Sequence, residues 1–426
     1  MQLMIAHSHA LPITILLSPH QRRMTNQLLP RFARFIDCRA AIAHATSGRT
    51  TRRAIMVCAG PTLARRSCSA LRRGLDCQET LTGVRAFDST PSLTLTVAHM
   101  SNPTQAIVFG GAGFIGTHLM TRMLASGRYN RIVSVDIGKP RAHVEGVEYV
   151  HHDVREPIDP KLGGRVPADI FNLAAIHVTP GHPDGDYYYT NVLGAVHVCR
   201  FARDTGSRNI LFTSSISVYG PTETPVTEDA TPVPVSAYGR SKLSAEAIHR
   251  LWQSEDRDRR LTIVRPAVIY GRYERGNFTR LSRLLERRAF IYPGRTDTIK
   301  SCGYVKDLVS SMFFMASRNE SLSIYNFCYE NRYTISEICS AFSQAAEYPK
   351  ATVTIPVWLM NLAVLPFEVL QAVGIKTGIN RDRIKKLWFS TNILPKHLVA
   401  SGFKFDYDLA SSLVDWKRES SIKDFD

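Results

Sequence analysis

Tyr238 and Lys242 stand four residues apart in the run Tyr238-Gly-Arg-Ser-Lys242, a spacing that puts both on one face of a helix. A phenol titrates near ~10 in water and is a weak base at neutral pH, and an ammonium one turn away stabilises its phenolate. Such a pair can take the proton of a hydroxyl while hydride leaves the carbon that bears it. The same ammonium can also hold a ribose. Ser215, in Thr213-Ser-Ser-Ile-Ser-Val-Tyr-Gly220, closes a strand-like apolar run and offers a second hydroxyl to the same substrate oxygen. Ser215, Tyr238 and Lys242 are the expected catalytic set.

Hydride needs an acceptor, and Ala106-Ile-Val-Phe-Gly110-Gly-Ala-Gly113-Phe-Ile-Gly116-Thr-His-Leu-Met provides a place for one. It reads as strand, tight turn, helix. Gly110 permits the turn, Gly113 lets backbone N–H groups approach a pyrophosphate, and Gly116 lets the helix pack closely on the strand. A second strand, Arg131-Ile-Val-Ser-Val-Asp136, ends in a carboxylate 20 residues beyond Gly116, where a ribose 2′-hydroxyl needs an acceptor. That charge repels a 2′-phosphate, so NAD is expected over NADP, with Lys139 and Arg141 as cations that soften the preference.

Strand and helix signals alternate from Ala106 to about Ile269, with strands expected at 106–110, 131–136, 147–151, 169–173, 209–213 and 261–265. Helices are expected from near Ser236 and over roughly 190–205. This alternation predicts an α/β protein with a doubly wound parallel sheet, a Rossmann fold. The expected division is a cofactor-binding domain over 100–271 and, over 272–426, a smaller substrate-binding lobe partly interleaved with the sheet. Residues 1–99 hold thirteen Arg, no Lys and four acids. They lack sustained periodicity and read as a disordered or mis-assigned extension, with an organellar transit peptide as the alternative.

The 426 residues carry a net charge of +16, of which +9 lies in that extension, so the remainder calls for no nucleic-acid partner. Cys199, Cys302, Cys328 and Cys339 read as reduced thiols of a cytoplasmic protein, and no cysteine spacing suggests a metal site. The apolar run Ile355 to Phe367 is broken by Asn361 and Pro366. It reads as a buried helical segment, with membrane or partner contact through 355–373 as the lesser alternative.

With glycine turn, acidic strand end, Ser and YxxxK in this order, the chain resembles the extended short-chain dehydrogenase/reductase superfamily. Within it, the NAD-dependent epimerase/dehydratase branch is the nearer likeness. The resemblance spans about 100–410 and rests on Gly110 to Gly116, Asp153-Val154, Asn172 to Ala175, Tyr188-Tyr-Thr-Asn191, Thr213 to Gly220, Tyr238 to Lys242, Arg265 to Gly271 and Gly303-Tyr-Val-Lys-Asp307. It implies that Phe114 and Ile115 join the glycines at the cofactor, that Asp153 and Val154 contact adenine, and that Leu173, Ala174 and Ala175 line the cofactor. By the same resemblance His177 and Asn191 lie near its ribose and phosphates, and Asp307 is architectural.

Three departures shape the expectation. Sugar-nucleotide dehydratases of this group carry an acid pair where this chain has Ile216 and Ser217, which removes the means of elimination. Val268 stands where many members have Asn, and Lys300 where they have Arg. Lys300, with Arg280 or Arg283, is therefore the expected cation set for a substrate diphosphate. The expected function is an NAD-dependent epimerase or oxidoreductase acting on a nucleotide-linked sugar, with a homodimer allowed. The alternatives are a 3β-hydroxysteroid dehydrogenase-like enzyme and a non-catalytic NAD-sensing or scaffolding protein.

Overall fold

A parallel strand buried on both faces must be apolar almost throughout, and the strand at the glycine turn is: Ala106, Ile107, Val108 and Phe109 are fully buried. The computed structural model describes residues 104–426 apart from 165, 179–180, 319, 361, 363–387 and 422–423. The expected extension over 1–99, and with it the transit-peptide alternative, lies outside the described residues.

Seven strands form one parallel sheet: β1 (Thr104–Phe109), β2 (Tyr129–Asp136), β3 (Glu148–His151), β4 (Ala168–Asn172), β5 (Asn209–Thr213), β7 (Arg260–Pro266) and β11 (Leu322–Phe327), in the order β3-β2-β1-β4-β5-β7-β11. β6 (Thr222–Val226), β8 (Val268–Tyr270), β9 (Tyr292–Pro293), β10 (Cys302–Tyr304), β12 (Thr354–Ile355) and β13 (Thr391–Ile393) pair outside it as three two-stranded ribbons. The order reverses at β1, and ligands bind beyond the carboxyl ends of strands at such a switch point. The doubly wound sheet is the one expected. The six anticipated strands fall within two residues of their expected starts, and Leu322–Phe327 supplies a seventh.

Side chains of β1 alternate between two cores. Ala106 and Val108 face α1 (Phe114–Ser126) and α5 (Val305–Ser317) in a cluster with Leu119, Met123, Leu308 and Met312. Ile107 and Phe109 face α2 (Asp184–Asp204) and α3 (Ala237–Ser254) with Val198, Phe201, Ala245 and Trp252. A third cluster joins β8, β10, α4 (Asn277–Glu286), α6 (Ile335–Ala346) and α8 (Leu409–Glu419) around Tyr270, Phe278, Phe342 and Trp416. The short α7 (Lys396–Ala400) caps the β11 edge.

One expectation needs correcting. In the described part of 355–367, Trp358 is 68%, Leu359 41% and Leu362 55% exposed, so this part is not a buried helix. The pairing of β12 with β9 holds only its start, and the turn over 357–360 faces inward through Val357, which lies against Gly294. Among the described residues of that turn, Trp358 and Leu359 remain exposed. The rest of the apolar run lies outside the described residues.

Candidate active site

The glycine turn carries the geometry a dinucleotide requires. Gly110 has φ +80, and a Cβ there would fall 2.6 Å from the backbone nitrogen of Ala174; a Cβ on Gly116 would fall 2.5 Å from the carbonyl of Gly111. α1 starts at Phe114 after Gly113 with no side-chain cap and no acidic residue in its first turn, so the N–H groups at Phe114, Ile115 and Gly116 point into the crevice toward an anion. Asp136, at the end of β2, accepts from the N–H of Ala112 at 3.1 Å and of Gly138 at 2.9 Å. Its carboxylate thus stands beside the turn with lone pairs to spare, and these features fit NAD. Leu173 donates its N–H to Phe109 at 2.8 Å, which seats Leu173, Ala174 and Ala175 at the carboxyl end of β4 against Gly110.

The other cofactor candidates are more occupied. Asp153 is held by Arg155 through contacts of 2.6 and 2.9 Å, and this pairing keeps its carboxyl below the usual range. Val154 is buried against Gly194 in the core. Asn191 accepts from the N–H of Ile176 at 2.9 Å and donates to the Ile176 carbonyl and to Ser241 at 3.2 and 2.9 Å. Its side chain is spent on pinning the loop after β4 to α3. His177 lies at the open rim of that loop, and the protein around it, Arg141 and Lys242 hold its pKa down. Arg141 donates to the carbonyl of Tyr273 at 2.5 Å and its backbone N–H to Ala112 at 3.1 Å. It therefore straps the loop after β2 to the segment after β8.

Ser215, Tyr238 and Lys242 converge because α3 approaches the end of β5 unusually closely. Ser236 caps α3 by accepting from the N–H of Gly239 at 3.0 Å, and a Cβ on Gly239 would sit 2.3 Å from the carbonyl of Ser217. Only glycine permits that approach. It brings the phenol of Tyr238 within hydrogen-bonding reach of the Ser215 hydroxyl, which itself accepts from the N–H of Ser217 at 3.1 Å. Burial pushes Tyr238 up to about 12, with Ser215 pulling the other way. Lys242 is 2% exposed, and burial lowers it to about 7, partly offset by Glu246.

The ammonium of Lys242 lies over the ring of Phe212, 4.6 Å from its centroid. Spacing put Tyr238 and Lys242 on one face but did not set where the long lysine side chain ends.

Several neighbours were not foreseen. Tyr187 is buried with its ring 6.2 Å from that of Tyr238, and its hydroxyl donates to the carbonyl of Val178 at 2.5 Å. Glu246, one turn beyond Lys242, accepts from Arg265 at 2.9 and 2.7 Å and from Ser214 at 2.5 Å. This pins the residue beside Ser215. His249 stacks on Phe212 at 4.2 Å and, held neutral by burial, donates through Nδ1 to Ala245 while Nε2 accepts from Asn172. The i+4 step from Lys242 to Glu246 was the one signal of these available in sequence.

Ile216 is buried in a small apolar cluster and Ser217 packs by its backbone against Gly239, so the positions of the dehydratase acid pair serve packing. Val268 is a β8 residue paired with Cys302. Lys300 donates to the carbonyl of Phe389 at 2.6 Å and burial lowers it to about 8, whereas Arg280 and Arg283 are exposed on α4. No contact among the described residues joins Lys300 to either arginine.

Residues 106–328 match the model of the NAD dependent epimerase/dehydratase family. An N-acetyl-α-D-glucosaminyl-diphospho-ditrans,octacis-undecaprenol 4-epimerase of Escherichia coli O157:H7 is 28% identical over 312 residues, covering 72% of this chain and 92% of its own. Among solved structures, MoeE5 in complex with UDP-glucose and NAD has a TM-score of 0.58 at 23% identity, covering 74% of this chain and 98% of its own. UDP-N-acetylglucosamine 4-epimerase from Bacillus cereus has a TM-score of 0.58 at 18% identity, covering 75% and 98%.

Proposed function

The chain belongs to the NAD dependent epimerase/dehydratase family, and from that premise we propose that it inverts C4 of a sugar carried on a diphosphate, with NAD as its redox partner. The observation that carries this reading is Tyr238 within reach of the Ser215 hydroxyl, with buried Lys242 one turn further along α3, while buried Ile216 replaces the acid that elimination needs. The relatives named as 4-epimerases support the choice of carbon.

NAD, when bound, supplies reversible hydride acceptance. As the phenolate, the form that a charged Lys242 favours, Tyr238 takes the proton of the substrate hydroxyl and returns it after inversion, and Ser215 holds the same oxygen by a hydrogen bond. Lys242 holds the ribose, whose hydroxyls accept from its ammonium. Tyr187 and Asn191 fix the loop and helix on either side. Asp136 favours NAD over NADP by accepting from a ribose hydroxyl and repelling a 2′-phosphate.

The test is incubation of purified protein with UDP-N-acetylglucosamine, UDP-glucose and N-acetylglucosaminyl-diphospho-undecaprenol, with proton NMR of the released sugar. A 4-epimer formed without net change in NADH absorbance is expected. A stoichiometric change in NADH, or a 4-keto-6-deoxy product, would refute the epimerase reading.

A further inference from the structure

Two short stretches lead side by side into a two-stranded ribbon, and both are basic and apolar with no acid. Arg287-Arg-Ala-Phe-Ile291 runs into β9 and Lys350-Ala-Thr-Val353 into β12. Tyr292 pairs with Thr354, and its N–H donates to the carbonyl of Val353 at 2.9 Å, so Ile291 and Val353 emerge next to each other. Immediately beyond β12 the turn over 357–360 rests on Gly294 through Val357. We propose that this edge of the molecule docks on an anionic lipid bilayer, with Trp358 and its apolar neighbours entering the headgroup boundary.

The apolar side chains are large and open: Ile291 is 40%, Val353 53%, Trp358 68%, Leu359 41% and Leu362 55% exposed. Single exposed apolar residues are ordinary, but a patch of this kind marks a contact surface. Its charge selects the partner. Arg287, Arg288 and Lys350 are exposed, and no carboxylate among the described residues pairs with them. Neither 287–295 nor 350–362 contains an Asp or Glu. Apolar prongs flanked by Arg287, Arg288 and Lys350, with Glu286 and Glu347 just outside the two stretches, suit a surface that is apolar within and anionic at its rim, and an indole is at home at that boundary. No described helix is long and apolar enough to cross a membrane, so this is attachment at the interface.

The docking does not depend on the epimerase reading. Where that reading holds, it points to a diphosphate sugar carried on a membrane lipid, and the vesicle experiment below needs no substrate, so the two can fail separately.

Tryptophan emission of the full chain is followed as vesicles of phosphatidylcholine, with or without phosphatidylglycerol, are added. Trp252 and Trp416 are fully buried and Trp388 is half-buried, so Trp358 is the most exposed of the four reporters. A blue shift is expected with the mixed vesicles, weakened by salt and absent in Trp358→Phe. Affinity measured by co-sedimentation should fall about fivefold for each cation removed, so Arg287→Gln/Arg288→Gln should bind about 25-fold more weakly than the parent. Pelleting without a blue shift would mean that another part of the chain carries the binding. That result, undiminished binding by the double variant, or a dimer in light scattering that dissociates in Trp358→Ser, would overturn the proposal.

Discussion

Binding of NAD to cofactor-free protein should draw in a proton through Lys242. Burial lowers this ammonium to about 7 against an opposite pull from Glu246, and it lies over the ring of Phe212 at 4.6 Å. A ribose hydroxyl pair that accepts from it restores a polar partner and lifts the group back toward its ordinary value of ~10.4. At pH 8 the free site is then charged in about a tenth of molecules and the bound site in nearly all, an uptake of ~0.9 proton. The sign follows from which form binds. The charged lysine is the binding form, so affinity is full below the free-state value near 7 and falls as pH rises, by about 50-fold from pH 7 to pH 9. Titration calorimetry at pH 8 in phosphate and in Tris reads this directly, because the observed heats differ by the proton number times the difference in buffer ionisation enthalpy. Lys242→Met should bind more weakly, with equal heats in both buffers. Equal heats in the parent protein, with NAD bound tightly, would refute the argument that burial discharges Lys242 and the ribose recharges it.

Tyr238→Phe should lose about 100- to 10,000-fold in turnover while NAD affinity stays within a few fold, since it removes the proton carrier and keeps the ring; paired kinetics and calorimetry check this. Gly110→Ala forces a left-handed residue and sets its Cβ 2.6 Å from backbone of Ala174, so thermal melting should show a loss of more than about 1 kcal/mol together with lost NAD binding. Glu246→Gln leaves the 5% exposed Arg265 without its counter-charge and should cost about 3–5 kcal/mol in denaturant unfolding. Asp136→Ala should narrow the gap between NAD and NADP affinities, and an unchanged ratio would move the selectivity elsewhere.

What could be read in the sequence was what proximity along the chain fixes. Gly110, Gly113 and Gly116 lie within one strand-turn-helix, Asp136 ends the next strand, and Tyr238 and Lys242 share one helical turn, so each arrangement is set by local geometry. The sheet followed because each strand is apolar over its own length. Tyr187 reaches Tyr238 from a different helix, and Glu246 meets Ser214 and Arg265 from three separate elements; no local spacing encodes such meetings.

The same limit explains what spacing left open. A YxxxK spacing locates two backbones and leaves four lysine torsions open, and in the crowded space under α3 those torsions place the ammonium over Phe212. An apolar run likewise states that burial would be favourable without naming the surface that provides it. For Trp358, Leu359 and Leu362 the described fold provides none, and the cations beside them turn that unmet burial into an argument about which surface the protein meets.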